Sequence, residues 1–204
     1  MKDEIQRIIS GKSPIKYGHD IQTILGFLTR SQESGSMAKT DKYFKKEETK
    51  RLKSFVEEFN LWVFDIDLNN YISEGAEQKV YLKDGKSVLK LNDGIYYSSW
   101  IDYLHNLLLN NFFFPDTAYH LLGFFEDDSN LYAVVEQPFV KATEKTDLDV
   151  VKKFMHENGF ENTRNNDYYN PLLGIILEDL HDENVLTQNG VLCFIDTVFY
   201  IVNA

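Results

Sequence analysis

The chain has 204 residues, 43% of them hydrophobic and 14% aromatic, enough apolar material for one good core or two small lobes around a cleft. A formal charge of −11 and a pI near 4.9 argue against a nucleic-acid ligand, because affinity for phosphate backbones comes mainly from Lys and Arg. The longest apolar run, Leu107 to Phe114, is broken by Asn110 and Asn111 and falls short of the roughly 18 apolar residues of a membrane span, so no membrane contact is expected. Acids at Asp3 and Glu4 stand where a secretory leader has a basic segment, which predicts a cytoplasmic protein. Cys193 is the single cysteine and excludes an internal disulfide; it reads as a small residue inside a strand.

Residues 1–60 carry helical periodicity. Ile5, Ile8 and Ile9, then Ile21, Ile24, Leu25 and Leu28, then Leu52, Phe55, Val56 and Phe59 recur at three- and four-residue intervals and predict three helices. Ser31 to Ser36 has linker composition, and the charged run from Lys39 to Lys53 reads as a solvated helix face. From residue 61 the pattern turns to short β-like runs, with Trp62, Val63 and Phe64, then Val80 and Tyr81, then Val88. Asp84-Gly85 between two such runs predicts a tight hairpin, because both residues tolerate positive φ. Ser98 to Asn110 reads as a helix, with Phe112 to Phe114 as core under the sheet. Tyr119 to Phe125 and Leu131 to Val135 read as strands joined by Glu126 to Ser129, which gives a sheet of about five strands. A further helix starts at a capping-box pattern, Thr146 to Asp149, and stops at Gly159.

The last segment runs from an apolar stretch, Leu172 to Leu177, through the acidic loop Glu178 to Asn184, into a hairpin turning at Asn189-Gly190. Counting back from that turn sets Asn184 opposite Ile195, so Asp196 lies one residue beyond, at the hairpin's open end. Regular alternation sends Asn184 and Asp196 to opposite faces, and their convergence requires the chain to bend there.

Asp179, Asn184 five residues on, and Asp196 supply a candidate base and two oxygen ligands of the kind hard Mg²⁺ prefers; Lys90, in a strand, supplies a cation for phosphates. The acidic net charge is compatible with such a site, since the metal's own charge inverts the local field. Glu74 to Tyr81, Val88-Leu89-Lys90, Glu136 to Phe139, Gly159-Phe160, Asp167 to Tyr169, Asp179 to Leu186 and Phe194-Ile195-Asp196 carry a resemblance, from about residue 50 onward, to the protein-kinase-like superfamily. The chain looks most like the kinase-like domain of polyvalent proteins of bacterial mobile elements and phages.

That resemblance implies an α+β, protein-kinase-like fold. An N-terminal helical extension (1–45) would precede an antiparallel N-lobe sheet plus one helix (46–140) and a truncated, minimal C-lobe (141–204). It implies ATP and Mg²⁺ as cofactors, Lys90 on the α/β-phosphates, Asp179 as catalytic base, and Asn184 and Asp196 as metal ligands. Gly75 would lie in the loop over the phosphates, aided by Lys79, and the backbone of Glu136 and Gln137, in the connection leaving the fifth strand, would meet the adenine edge.

The departures are specific. Leu177-Glu178 replaces the His-Arg that receives an activation-loop phosphate in ordinary protein kinases, and Thr197-Val198 replaces the usual Phe-Gly. Asp102 is the one acid on the helix after Lys90 placed to pair with it, and it is a methylene shorter than the usual glutamate. Only residues 197–204 follow Asp196, so the resemblance implies that the substrate side comes from another chain or domain, or from the N-terminal helices, or that transfer has been lost. Two functions follow as expectations: a phosphotransferase acting on a protein or small-molecule hydroxyl, or a catalytically silent nucleotide-binding or protein-interaction domain, a pseudokinase. His181, Asp182 and Glu183 read as loop packing and solvation.

Overall fold

The computed structural model describes residues 1–32, 41–75, 78–128 and 130–202. Residues 33–36 of the expected linker, Lys39 of the charged run, Ala76 and Glu77 of the glycine-containing loop, and Ser129 lie outside the described residues.

Three helices come first, α1 (Lys2–Ile9), α2 (Gly18–Gln32) and α3 (Asp41–Glu58). Their apolar stripes bury Ile8, Ile21, Ile24, Leu28, Leu52 and Val56, and the same cluster takes in Trp100, Leu104, Leu121, Phe124 and Val135 from farther along the chain. These helices therefore share one core with the sheet that follows.

No strand forms at Trp62 to Phe64. Trp62 makes a single parallel bridge to Phe124, with Phe124 N donating to Leu61 O at 2.9 Å and Val63 N to Phe124 O at 2.8 Å. Gly123 permits that approach: its φ is +148°, and a Cβ there would lie 2.2 Å from Leu61 O. The sheet begins with β1 (Tyr71–Glu74) and continues through β2 (Gln78–Leu82), β3 (Ser87–Asn92), β4 (His120–Asp127) and β5 (Asn130–Pro138), in the order β1-β2-β3-β5-β4, every neighbouring pair antiparallel. Strand β3 is central and buried along its whole length.

The Asp84-Gly85 turn differs from its expected form. Neither residue takes positive φ, and Leu82 pairs with Val88 across a wider loop. Asp84 Oδ1 closes that loop by accepting from Lys86 N at 2.7 Å and Ser87 N at 2.8 Å, a side chain substituting for turn hydrogen bonds.

Helix α4 (Trp100–Phe113) follows β3, and Ser99 Oγ caps it by accepting from Asp102 N at 3.0 Å. A second cap comes from α3, where Glu48 Oε2 accepts from Trp100 N at 2.5 Å. Lys45 donates to Tyr97 O at 2.8 Å and also reaches Gly94 O. The charged run on α3 is thus more than a solvated face. Burial pushes the Glu48 carboxyl above the usual glutamate range.

Past β5, α5 (Leu148–Glu157) is capped by Asp147, whose side chain accepts from Asp149 N. Thr146, the expected cap, instead pairs its hydroxyl with Thr187 Oγ1 at 3.0 Å. Then come β6 (Glu161–Arg164), β7 (Asp167–Asn170), β8 (Ile175–Glu178), the hairpin β9 (Val185–Gln188) and β10 (Val191–Phe194), and β11 (Val198–Ile201). Strands β11, β8, β7 and β6 form a second antiparallel sheet in that order, while β9 and β10 form a separate pair, with Thr187 of β9 also bridging Glu144. A second core collects Val151, Met155, Leu177, Leu180 and Phe199. Phe113 and Phe114 belong to this core rather than lying under the first sheet: Phe113 stacks on Phe199 at 5.4 Å and Phe114 on Phe194 at 4.0 Å. Among the described residues, no helix is long and apolar enough to cross a membrane.

Two measurements check these packing claims. Gly123→Ala should lower unfolding free energy by roughly 2–4 kcal/mol in chemical denaturation, since the Leu61 carbonyl must move and its hydrogen bond weakens. Because the folded-state value of Glu48 is raised, its contribution to stability is full below the ordinary glutamate value and is lost as pH rises through the raised one. The melting temperature of Glu48→Gln should therefore gain on the parent as pH increases from about 4.

Candidate active site

Alternation along β3 sets the site. Leu89 and Leu91 face a small apolar cluster with Tyr81 and Val134, so Lys90 points to the opposite side of the sheet. Its side chain is 5% exposed. A buried ammonium needs compensating partners, and Lys90 Nζ donates to Ile195 O at 2.7 Å, lies 3.8 Å from Asp196 Oδ2 and sits 5.5 Å from the Tyr119 ring centre.

The hairpin holds its counted register. Gln188 pairs with Val191 and Val185 with Phe194 across Asn189-Gly190, whose φ angles are +51° and +76°. At the open end the ladder breaks, because Ile195 N at 2.9 Å and Asp196 N at 3.3 Å both donate to the one Asn184 carbonyl. The bend that this sharing makes sets Asn184 and Asp196 in the wall of the same cavity.

The acidic loop is wound tightly. Asp179 has φ +66°, a conformation that aspartate tolerates better than most residues, and its N–H donates to Asp167 Oδ1 at 3.1 Å. Asn184 Nδ2 donates to Asp179 O at 2.9 Å and to Oδ2 at 3.0 Å, and His181 Nε2 lies 3.3 Å from Oδ1. His181 Nδ1 accepts from Glu183 N at 3.2 Å, which leaves the ring proton on Nε2, aimed at Asp179. Leu180, fully buried, anchors the loop in the second core.

Two cavities meet here. One, of about 340 Å³, is lined by Lys90, Gln137, Phe139 and Val140. The other, of about 620 Å³, is lined by Asp167, Glu178, Asp179, His181, Tyr96 and Tyr200. Gly75, Gln78, Glu183, Asn184 and Asp196 line both. Burial, with Asp167 and Asp179 close by, pushes the Glu178 carboxyl above its usual range.

Lys90, Gly75, Gln137, Asn184 and Asp196 are thus brought to one cavity, with Asp179 in the adjoining one. Glu136 is not: it lies within β5, outside the cavity wall, and Lys83 at 2.7 Å holds its carboxyl below the usual range. Gln137 is also inside β5, its amide donating to Thr117 O at 2.8 Å, so beyond the strand's last residue, Pro138, the connection that meets the cavity is Phe139 and Val140. Asp102 is turned to the Ser99 hydroxyl at 2.7 Å and lines neither cavity; among the described residues Asp196 is the acid beside Lys90. Lys79 lies over the Tyr132 ring at 5.5 Å and lines neither cavity.

Gln78 was not singled out by spacing, yet its Nε2 donates to Asp196 Oδ2. His181, expected as loop packing, contacts Asp179. The contribution of Asp167 depends on β7 lying beside β8, which no apolar alternation announced.

Among the described residues, no three His, Cys, Asp or Glu side chains cluster as a metal cage. The Asn184 and Asp196 oxygens suit a hard cation that takes few protein ligands and completes its shell with phosphate and water.

A buried strand lysine beside an aspartate at a hairpin's end, with an Asp-x₄-Asn loop adjoining, is the constellation of a kinase-like protein. Residues 45–203 match the family described as serine/threonine/tyrosine kinase found in polyvalent proteins, and the chain belongs to that family. Helices α1 and α2 precede the matched region. No curated protein matches the chain, and no solved structure matches it. Family membership makes phosphoryl transfer the chemistry to which this site is related.

Leu180→Ala should destabilise the protein by about 2–5 kcal/mol in chemical denaturation, the range for emptying a buried leucine site.

Proposed function

We propose that the chain is a phosphotransferase that moves the γ-phosphoryl group of ATP, with Mg²⁺, to a hydroxyl of a protein or small molecule. The observation that supports this best is the adjacency of the two cavities. Lys90, Asn184 and Asp196 line one, Asp179 lines the other, and Asn184 and Asp196 stand in their common wall.

In this reading the smaller cavity takes the nucleotide. Lys90 binds the α/β-phosphates as a desolvated cation, and the backbone of Phe139 and Val140 meets the adenine edge in place of Glu136 and Gln137. Gly75 leaves room over the phosphates, since among the described residues a Cβ there would meet Gln78 O, at 4.0 Å. Asn184 and Asp196 would hold Mg²⁺, which when bound neutralises charge on the transferring phosphate. Asp179, oriented by Asn184 and His181, accepts the proton of the acceptor hydroxyl as that oxygen bonds to the γ-phosphorus and ADP departs. Among the described residues, five carboxylates and no Lys or Arg line the larger cavity, which favours a cationic acceptor. The domain division follows the same reading, with the first sheet and α4 as N-lobe, the second sheet with α5 as a small C-lobe, and residues 1–45 as an extension.

One contact favours the alternative, a catalytically silent nucleotide-binding or interaction domain. Gln78 engages Asp196 Oδ2, an oxygen the metal would need.

Mg-ATP at about one hundred times its Kd should stabilise the protein by about 2.7 kcal/mol in thermal denaturation, and Asp196→Asn should remove most of the part that depends on Mg²⁺. Asp179→Asn should keep that stabilisation and lower transfer of radiolabelled phosphate by about 10²–10⁴-fold. Binding without transfer in the parent chain selects the silent reading, and the absence of any Mg-ATP effect rejects the phosphotransferase.

A further inference from the structure

Asn106 and Asn110 stand four residues apart on α4, hence on one face of the helix. Both are buried, on a face of α4 different from the one that Leu104 and Leu108 present to the first core. Asn110 Oδ1 accepts from Thr197 Oγ1 at 2.8 Å, and Asn106 Oδ1 accepts from Phe199 N at 2.9 Å. The Asn110 amide nitrogen turns back to Thr117 O at 3.3 Å, which fixes its oxygen toward Thr197. On the other side of Asp196, Thr117 Oγ1 donates to Phe194 O at 2.5 Å and the Tyr119 hydroxyl to Ile195 O at 3.0 Å. The backbone from Phe194 to Phe199 is therefore gripped before and after Asp196 by four neutral side chains from α4 and the turn that follows it.

We propose that Asn106 and Asn110 are positioning residues for Asp196, coupling α4 to the metal-binding aspartate through neutral amides instead of an ion pair between α4 and Lys90. This rests on the reading of Asp196 as a Mg²⁺ ligand. The physical case is one of register. A leucine face would pack against the strand after Asp196 at several heights, whereas a buried amide oxygen must meet a donor or lose a hydrogen bond. With its oxygens matched to Thr197 and Phe199, α4 admits one height for the strand, and hence one position for Asp196. Being uncharged, this coupling is little screened by salt.

Thr197→Val removes the donor while keeping the shape of the side chain, and Thr197→Ser keeps the donor. Nucleotide affinity is read by calorimetry with Mg²⁺ and with EDTA, and hydrogen exchange over residues 194–199 is read on the free protein. Thr197→Val should weaken Mg-ATP binding about tenfold, leave metal-free ATP within about twofold and speed exchange over 194–199. Thr197→Ser should rescue all three, and Asn106→Ala should follow Thr197→Val. If Thr197→Val lowers only the melting temperature and leaves Mg-ATP affinity at the parent's value, the asparagines are structural and the proposal is overturned. If the parent binds no Mg-ATP, the phosphotransferase reading fails by itself. Exchange over 194–199 then decides the grip, with unchanged exchange in Thr197→Val overturning it.

Discussion

The burial of one ammonium organises the two halves of this protein. Lys90 sits in the middle of the first sheet with its side chain almost wholly out of water, a placement that is unfavourable unless charge and hydrogen bonds compensate. Among the described residues, compensation comes from about a hundred positions away, from Ile195 and Asp196, with the Tyr119 ring alongside. Satisfying the lysine therefore draws the β9–β10 hairpin against the sheet, and the cleft between them is a consequence of that attraction.

Neutral polar contacts then set where the hairpin's end lies. Asn184 O receives two successive amides, Thr117 and Tyr119 hold the carbonyls of Phe194 and Ile195, and Asn106 and Asn110 hold the chain beyond. α4 is shared by both cores, Trp100 and Leu104 packing with the first and Leu109 with the second, so whatever it grips is registered against the whole molecule. The N-terminal helices enter the same scheme through Glu48, which caps α4 from α3.

The larger cavity has the opposite character. Asp167, Glu178 and Asp179 crowd one wall, and the raised Glu178 carboxyl records both its burial and that crowding. In the proposed reading, a cationic acceptor supplies the countercharge that this wall lacks.

How much of this was legible depended on range. The periodicity of Ile21, Ile24 and Leu28, the run around Lys90 and the Asn189-Gly190 turn are local signals, and each formed its expected element, although Asp84-Gly85 closed by a side-chain cap instead of a tight turn. β6 and β7 were not legible, because Glu161 to Asn170 is mostly polar: β6 is exposed along its length, and of β7 Tyr168 is the residue that joins the second core. Of the candidate site, Lys90, Asp179, Asn184 and Asp196 were readable from residue type, order and hairpin count.

By itself, then, the sequence determined which groups are available and the local turns that present them, since propensity and alternation act over a few residues. Only the tertiary structure decided that Asp196, and not Asp102, accompanies Lys90, that Pro138 to Val140 replace Glu136 at the cavity wall, and that asparagines on α4 hold the strand beyond Asp196. Those outcomes depend on desolvation and hydrogen-bond satisfaction between segments far apart in the chain, which no short window of sequence contains.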